Sequence, residues 1–320
     1  MDGKRHSAYV GAMTTRLYMH PICLEHLTPA GHPERPDRLR AIERVLEDER
    51  FARLDRAEAP EGDTETILAV HPEEFVRGIE AAIPEEGLRR IDADTSVSPK
   101  SWQAALRAIG GANAAVDDVF SGAAGNVFVA MRPPGHHAER DRAMGFCLFN
   151  NAAIAARHAQ KAHGAERVAI VDFDVHHGNG TQDIFWQDPS VLYCSTHQMP
   201  LFPGTGAKGE TGAGNIVNAP LLPESGSDSF REAFSSRVLP AVDAFRPDLV
   251  IVSAGFDAHY RDPLAEINLV EDDFDWATGM LMERASRWAD NRLVSLLEGG
   301  YDLEGLAFSA AAHVKRLMEG

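Results

Sequence analysis

The chain has 320 residues, 44% of them hydrophobic and 25% charged, the composition of a soluble globular protein able to bury a sizeable core. Lysine and arginine total 31 against 48 acidic residues, a formal charge of −17, which argues against a surface that grips nucleic acid or anionic lipid and suits a cationic substrate better. No window approaches the roughly 18 apolar residues of a membrane helix, and the 3 cysteines, Cys23, Cys147 and Cys194, lack both a disulfide framework and CxxC spacing, so a reducing, cytoplasmic location is expected.

The N-terminal stretch "MDGKRHSAYVGAMTT" has no signal-like apolar run, and residues 1–13 are expected to be a disordered or non-native extension, with Met13 as the natural start. Strand-like "TTRLYMH" follows. From about residue 100 onward, helix-like and strand-like segments alternate: the helix "SWQAALRAIGGANAAVDDVF" and strand "NVFVAMR", then the helix "NNAAIAARHAQKAHG" and strand "RVAIVDFDV". A short helical "TQDIFW" precedes "VLYCSTH". Further on come one helix around "DSFREAFSSRVLPAVDAF", the strand "DLVIVSAGFDAH", the helix "EDDFDWATGMLMERASRWAD", the strand "RLVSLLEGG" and a final helix from Leu303. Continuous apolar strands with crossover helices imply a parallel sheet covered on both faces, in a single α/β domain.

Five unusual clusters fall at the carboxyl ends of these strands: "RPPGHHAE", "DVHHGNG", "STHQ", "GFDAH" and "EGGYD". That edge is where open parallel sheets build their sites, so one crevice accounts for all five.

Asp172, Asp174 and His176 are two apart and, on extended chain, face one side of the sheet. An unpaired buried carboxylate costs several kcal/mol, and a bound metal is the simplest remedy. Asp174 and His176 supply an oxygen and a nitrogen ligand, and Asp257 at the end of another strand is the natural third. Three protein ligands leave a position for water, the pattern of a catalytic site. His177 is expected to point the other way by the same alternation and to be structural, and the lone His197 and His259 to be packing residues beside the site. His136 and His137 follow two prolines and a glycine, in a rigid turn from which both rings can face the crevice and move protons beside a metal-bound water. Asp172 and Asn179 are the available groups to hold the second nitrogens of these rings. Tyr301, after "LEGG", can donate a hydrogen bond to a developing oxyanion. The GxGxxG match "GTGAKG" neither follows a strand nor opens a helix, and Ser253 lacks a GxSxG elbow, so neither a dinucleotide site nor a serine nucleophile is expected.

These motifs, with "GHPERPDRLRAIERVL", "DADTSVSPKSW", "GFCLFNNAAIAA", "LFPGTG" and "HYRDPL", resemble the zinc-dependent histone deacetylase superfamily, in particular its bacterial class II-like members: histone deacetylase-like and acetylpolyamine amidohydrolases. The resemblance spans nearly the whole chain. It implies the arginase/deacetylase fold, with a central eight-stranded parallel sheet flanked by helices, in a domain over residues 14–320. It makes Asp174, His176 and Asp257 zinc ligands (with Fe2+ the alternative in the cell), His137 the general base and then acid, and His136 its partner backed by Asp172. Asn179 stands where class I members carry aspartate behind the second histidine, and Tyr301 matches the carbonyl-polarising tyrosine. Gly145, Phe146 and Phe202 match walls of an acyl-lysine tunnel, Asp94 a rim position, and Arg38 an arginine near an internal acetate channel. A structural potassium ion is implied at Asp172, Asp174, His176, Ser195 and Thr196.

The activity implied is hydrolysis of an acetyl or short acyl group from N-acylated lysine or a related amine. A polyamine specialist is the alternative, but Leu264 stands where one polyamine-selective branch carries glutamate, unless the register slips to Glu266. Arginase-like chemistry on two metals and a non-catalytic acyl-binding protein are weaker readings. The expected partner is a small acylated amine or acyl-lysine peptide, with no nucleic acid or membrane, and homo-oligomerisation stays open.

Overall fold

The computed structural model describes residues 14–320, so the expectation for residues 1–13 lies outside the described residues. Its ten strands are β1 (Thr15–Met19), β2 (Asp55–Glu58), β3 (Arg89–Arg90), β4 (Ser96–Val97), β5 (Asn126–Val129), β6 (Val168–Asp172), β7 (Val191–Gln198), β8 (Ile216–Leu221), β9 (Leu249–Ala254) and β10 (Leu293–Leu297). β3 and β4 form a small antiparallel hairpin. The other eight make one sheet in the order β2-β1-β5-β10-β9-β6-β7-β8, every neighbouring pair parallel. This is the single α/β domain with an eight-stranded parallel sheet that the alternating segments imply.

Strands β5, β6, β7, β9 and β10 are buried along their whole length, which explains their unbroken apolar sequences: helices cover both faces. Helices Ser101–Ser121 and Asn151–His163 pack together over one face, and Glu271–Trp288, Leu303–Glu319 and Asp37–Leu46 over the other. Caps fix where the key helices begin. The Asn150 side chain accepts from Ala153 N, and that of Asp302 from Gly305 N, so a helix starts just after each of two loops that matter below. The segment read as one helix over "DSFREAFSSRVLPAVDAF" is continuous but widens into a π turn at Phe234–Val238, just ahead of Pro240, which has no amide N–H to donate into a regular ladder. No helix among the described residues is long and apolar enough to cross a membrane.

Four expected strands end early, β5 at Val129, β6 at Asp172, β9 at Ala254 and β10 at Leu297. The second corrects the reasoning from alternation, because Asp174 and His176 are not on a strand. After Asp172 the carboxylates themselves turn the chain: Asp174 N donates to Asp172 Oδ1 at 3.1 Å, and His176 N to Asp174 Oδ1 at 2.8 Å. His177 does lie away from these carboxylates, but because its ring is held between Thr205 Oγ1 at 2.7 Å and Gln182 Oε1 at 3.1 Å.

Candidate active site

The central strands β5, β10, β9, β6 and β7 are successive neighbours, so the five loops leaving their carboxyl ends converge. Asp174, His176 and Asp257 meet there, fully or almost fully buried, with one ligating atom of each within 4.8 Å of the others. His176 Nδ1 sits 3.2 Å from Asp174 Oδ1 and 3.1 Å from Asp257 Oδ2. The remaining carboxylate oxygens are held by backbone: Val175 N donates to Asp257 Oδ1 at 2.9 Å and Gly299 N to Asp174 Oδ2 at 2.7 Å. A Cβ on Gly299 would lie 2.1 Å from Asp257 Oδ2, and one on Gly255 2.0 Å from Asp174 Oδ2, so glycine is required for the backbone to cradle both carboxylates. Two buried carboxylates, each with an oxygen 3.1 or 3.2 Å from one imidazole nitrogen, form a donor set that fits Zn2+ or Fe2+.

Beside this cluster the rings of His136 and His137 lie 4.0 Å apart, both buried. His136 Nδ1 donates to Asp172 Oδ2 at 2.9 Å, and His137 Nδ1 to Asn179 Oδ1 at 2.8 Å, which leaves Nε2 of His137 free to accept a proton. The two rings are driven apart electrically. Burial disfavours charge on both, but Asp172 and Asp174 outweigh it at His136 and hold that ring well above the ordinary histidine range. At His137 burial, then His136 and His176, act in the same direction and push it well below that range.

The mouth is a pocket of about 220 Å3, lined among others by His137, His176, Phe146, Phe202 and Tyr301. Phe202 stands edge-on to His137 at 5.1 Å and Phe146 edge-on to Tyr301 at 5.8 Å, giving two aromatic walls. Phe146 adopts a φ of 68°, rare for a bulky residue, and Gly145 before it packs so tightly that a Cβ would lie 2.4 Å from the His137 ring. Asp94 lines the same pocket and accepts from Gly145 N at 3.2 Å. Leu264 also lines it, whereas the exposed Glu266 does not. Burial pushes the Tyr301 hydroxyl well above the ordinary phenol range, so it stays a donor.

Ser195 and Thr196 lie on β7 beside Asp172, which pairs with Ser195 across the β6–β7 ladder. Ser195 Oγ bonds His197 Nδ1 at 2.8 Å, and Thr196 Oγ1 is buried with no hydrogen-bond partner. His197, held also by Gly206 O at 2.9 Å, and His259, whose Nδ1 accepts from Arg261 N at 3.3 Å, stand outside the ligand cluster.

Glu298, Tyr193, Asp262, Glu34 and Arg132 help hold this site and escaped the sequence reading, whereas Arg38 was expected near it. Glu298 accepts from Gly135 N at 2.7 Å and His136 N at 3.1 Å. Tyr193 donates to Asp172 Oδ2 at 2.9 Å. Asp262 accepts from Tyr301 N at 2.7 Å. Glu34 is buried between Arg132 and Arg38, and Arg38 donates to Gly300 O at 2.6 Å and stacks beneath the Tyr301 ring at 4.9 Å. All but Tyr193 sit inside motifs noted above. The available signal was a charged residue in an apolar or turn-forming run, but its partner could not be seen locally.

A parallel sheet whose central strand ends gather carboxylates, imidazoles and a phenol at the foot of a narrow pocket is the architecture of a hydrolytic enzyme. Residues 32–317 match the histone deacetylase domain, and the chain belongs to that family. The chain is 41% identical to the histone deacetylase-like amidohydrolase of Pseudomonas aeruginosa over 294 residues, covering 90% of this chain and 77% of that protein. It is 39% identical to a probable deacetylase of Archaeoglobus fulgidus, over 92% of this chain and 83% of that one. The crystal structure of the HDA15 HD domain superposes with a TM-score of 0.91 at 39% identity, covering 97% of this chain and 89% of that one.

Proposed function

We propose that this deacetylase-family hydrolase is a zinc-dependent amidohydrolase that removes acetyl or other short acyl groups from N-acylated lysine or related amines, the activity being carried by residues 14–320. The observation that carries the proposal is the Asp174, His176 and Asp257 cluster at the foot of a pocket walled by Phe146 and Phe202. Those three residues would hold the metal, with Fe2+ the alternative in the cell. When bound, zinc supplies a Lewis acid that lowers the pKa of its water toward roughly 7 and polarises the acyl carbonyl.

The chain's own residues do the rest. His137 accepts the proton of the attacking water at Nε2 and returns it to the leaving amine, its tautomer set by Asn179. His136, kept cationic by Asp172, supplies positive charge beside the site. Tyr301 keeps its proton and donates a hydrogen bond from its hydroxyl to the acyl oxygen as charge builds there. Phe146, Phe202 and the close approach of Gly145 exclude water around an extended alkyl chain, with Asp94 at the rim. Asp172, Asp174, His176, Ser195 and Thr196 are assigned to a potassium ion, which the buried, partnerless Thr196 Oγ1 supports. A cytoplasmic location fits the composition.

Acyl-lysine is favoured over polyamine because the position lining the pocket is the apolar Leu264, and Glu266 is not among its lining residues. The test is turnover of an acetyl-lysine peptide and of acetylputrescine by the zinc-loaded protein. Hydrolysis of the peptide, lost in His137→Ala, is expected. A large preference for acetylputrescine would overturn the substrate assignment, and equal activity of wild type and His137→Ala would overturn the mechanism.

A further inference from the structure

Outside the pocket, Asp117, His158 and His163 offer one carboxylate oxygen and two imidazole nitrogens that all lie within 4.8 Å of one another. Asp117 is on helix Ser101–Ser121, and the two histidines are in the last turns of helix Asn151–His163. Both Nε2 atoms face the same atom, Asp117 Oδ1, at 2.7 Å from His158 and 2.6 Å from His163. Neither ring is free to wander: their side chains are only 20% and 24% exposed, while Asp117 is 53% exposed. His163 stacks on Phe120 at 4.6 Å and 11°, and Phe120 is itself covered by the Arg292 guanidinium at 4.7 Å.

Two imidazoles oriented on one carboxylate, with solvent on the remaining side, are the N2O donor set of a borderline divalent transition metal. Bonds of about 2.0–2.1 Å place ligating atoms roughly 3.3 Å apart, so the carboxylate has to withdraw by about half an ångström. An exposed aspartate can do that at little cost, while the packed rings stay in place.

We propose that Asp117, His158 and His163 form a second metal site, separate from the catalytic cluster, that takes Zn2+, Ni2+ or Cu2+ with water in the open positions. The bound ion ties the end of helix Asn151–His163 to helix Ser101–Ser121. The other end of that helix is capped by Asn150, whose amide also donates to Ala138 O at 3.2 Å, directly after the His136–His137 pair. The clamp therefore steadies the element on which that turn rests. This inference does not depend on the substrate or on the catalytic reading.

The test is equilibrium dialysis of the zinc-loaded enzyme against added Zn2+ on the order of 100 μM, with bound zinc counted by elemental analysis and the thermal midpoint followed. Wild type is expected to take up one zinc per chain more than the His158→Ala/His163→Ala variant, and its midpoint to rise with added zinc where that of the variant does not. Asp117→Asn, which keeps the rings and their packing, is expected to weaken this uptake about tenfold or more. With Cu2+, the spin resonance spectrum of wild type is expected to show coupling to two nitrogens that the double variant lacks. Equal zinc content and equal midpoint shifts in wild type and both variants would overturn the proposal.

Discussion

Asp262 Oδ2 accepts a hydrogen bond from the backbone amide of Tyr301 at 2.7 Å, and the same carboxylate ties down the opposite rim by accepting from Leu264 N at 3.1 Å. One buried side chain thus sets the turn that presents the phenol and the loop that presents an apolar pocket wall. Removing it releases both. Asp262→Ala is expected to lower kcat on an acylated lysine by on the order of 10²-fold, the effect of misplacing a reacting group by about 1 Å. Asp262→Asn keeps an oxygen toward Tyr301 N and is expected to recover most of the rate, with zinc content unchanged in both. Full activity in the alanine variant would show the contact to be incidental.

Glu298 holds the opposite side of the site by accepting from the amides of Gly135 and His136, while Ser253 Oγ donates to its other oxygen at 3.0 Å. Burial pushes its carboxyl up to about 7, against the opposing pull of His136, so a neutral isostere is tolerable there. Glu298→Gln is expected to keep stability and kcat within several-fold of wild type. Glu298→Ala strands two buried N–H donors at about 1–3 kcal/mol each, and should lower the thermal midpoint and the rate together. Thermal unfolding and kcat measured on both variants check this, and similar behaviour of the two would count against the role.

Tyr301→Phe removes one hydroxyl and leaves the ring packed edge-on against Phe146 and over the Arg38 guanidinium. The expected result is a loss of about 10²–10³ in kcat with KM, zinc content and thermal midpoint close to wild type. A change in KM alone would assign the hydroxyl to ground-state binding instead.

The histidines buried as neutral rings should cost stability as pH falls below about 6.5. His26, His71 and His313 are buried as neutral rings, and burial, the main cause at each, lowers them to about 4, 4 and 3 from 6.5. A histidine depressed in the folded state contributes stability that is complete above the unfolded value and is lost as pH falls from 6.5 toward the folded value, because only the unfolded chain takes up the proton. Near pH 5, three such rings give a slope of about 4 kcal/mol per pH unit. Other buried groups titrate in the same window, so the check is the difference between wild type and His313→Gln in denaturant unfolding near pH 5, where the variant's slope should be smaller by about one proton. Glu34 adds a separate, more acidic loss: Arg132 and Arg38 overcome its burial and hold it down at about 2, so its contribution disappears between about pH 4.5 and 2.

Much of the site was legible because its members lie in short runs at strand ends. Asp174, His176, the His136–His137 pair and Tyr301 each follow an apolar strand closely enough for the chain to deliver them to one edge, and Asp257 does so from a neighbouring strand. Strand alternation nevertheless does not bring Asp174 and His176 together. Alternation requires a strand, and β6 stops at Asp172 because two side-chain carboxylates capture the next amides. The buried charges were the least legible part. Glu34 and Arg132 are 98 positions apart, and nothing local marks either as the other's partner.

By itself the sequence determined that this chain makes a parallel α/β sheet and that its reactive residues sit at the carboxyl ends of the strands. Apolar runs, helix caps and glycine turns are local properties, and local properties select elements and their polarity. Only the tertiary structure decided that β5, β10, β9, β6 and β7 lie side by side, so that a loop near residue 136 and one near residue 301 close on the same carboxylates. Strand order comes from packing and pairing between segments far apart in the chain, where the free energy belongs to the pair rather than to either segment.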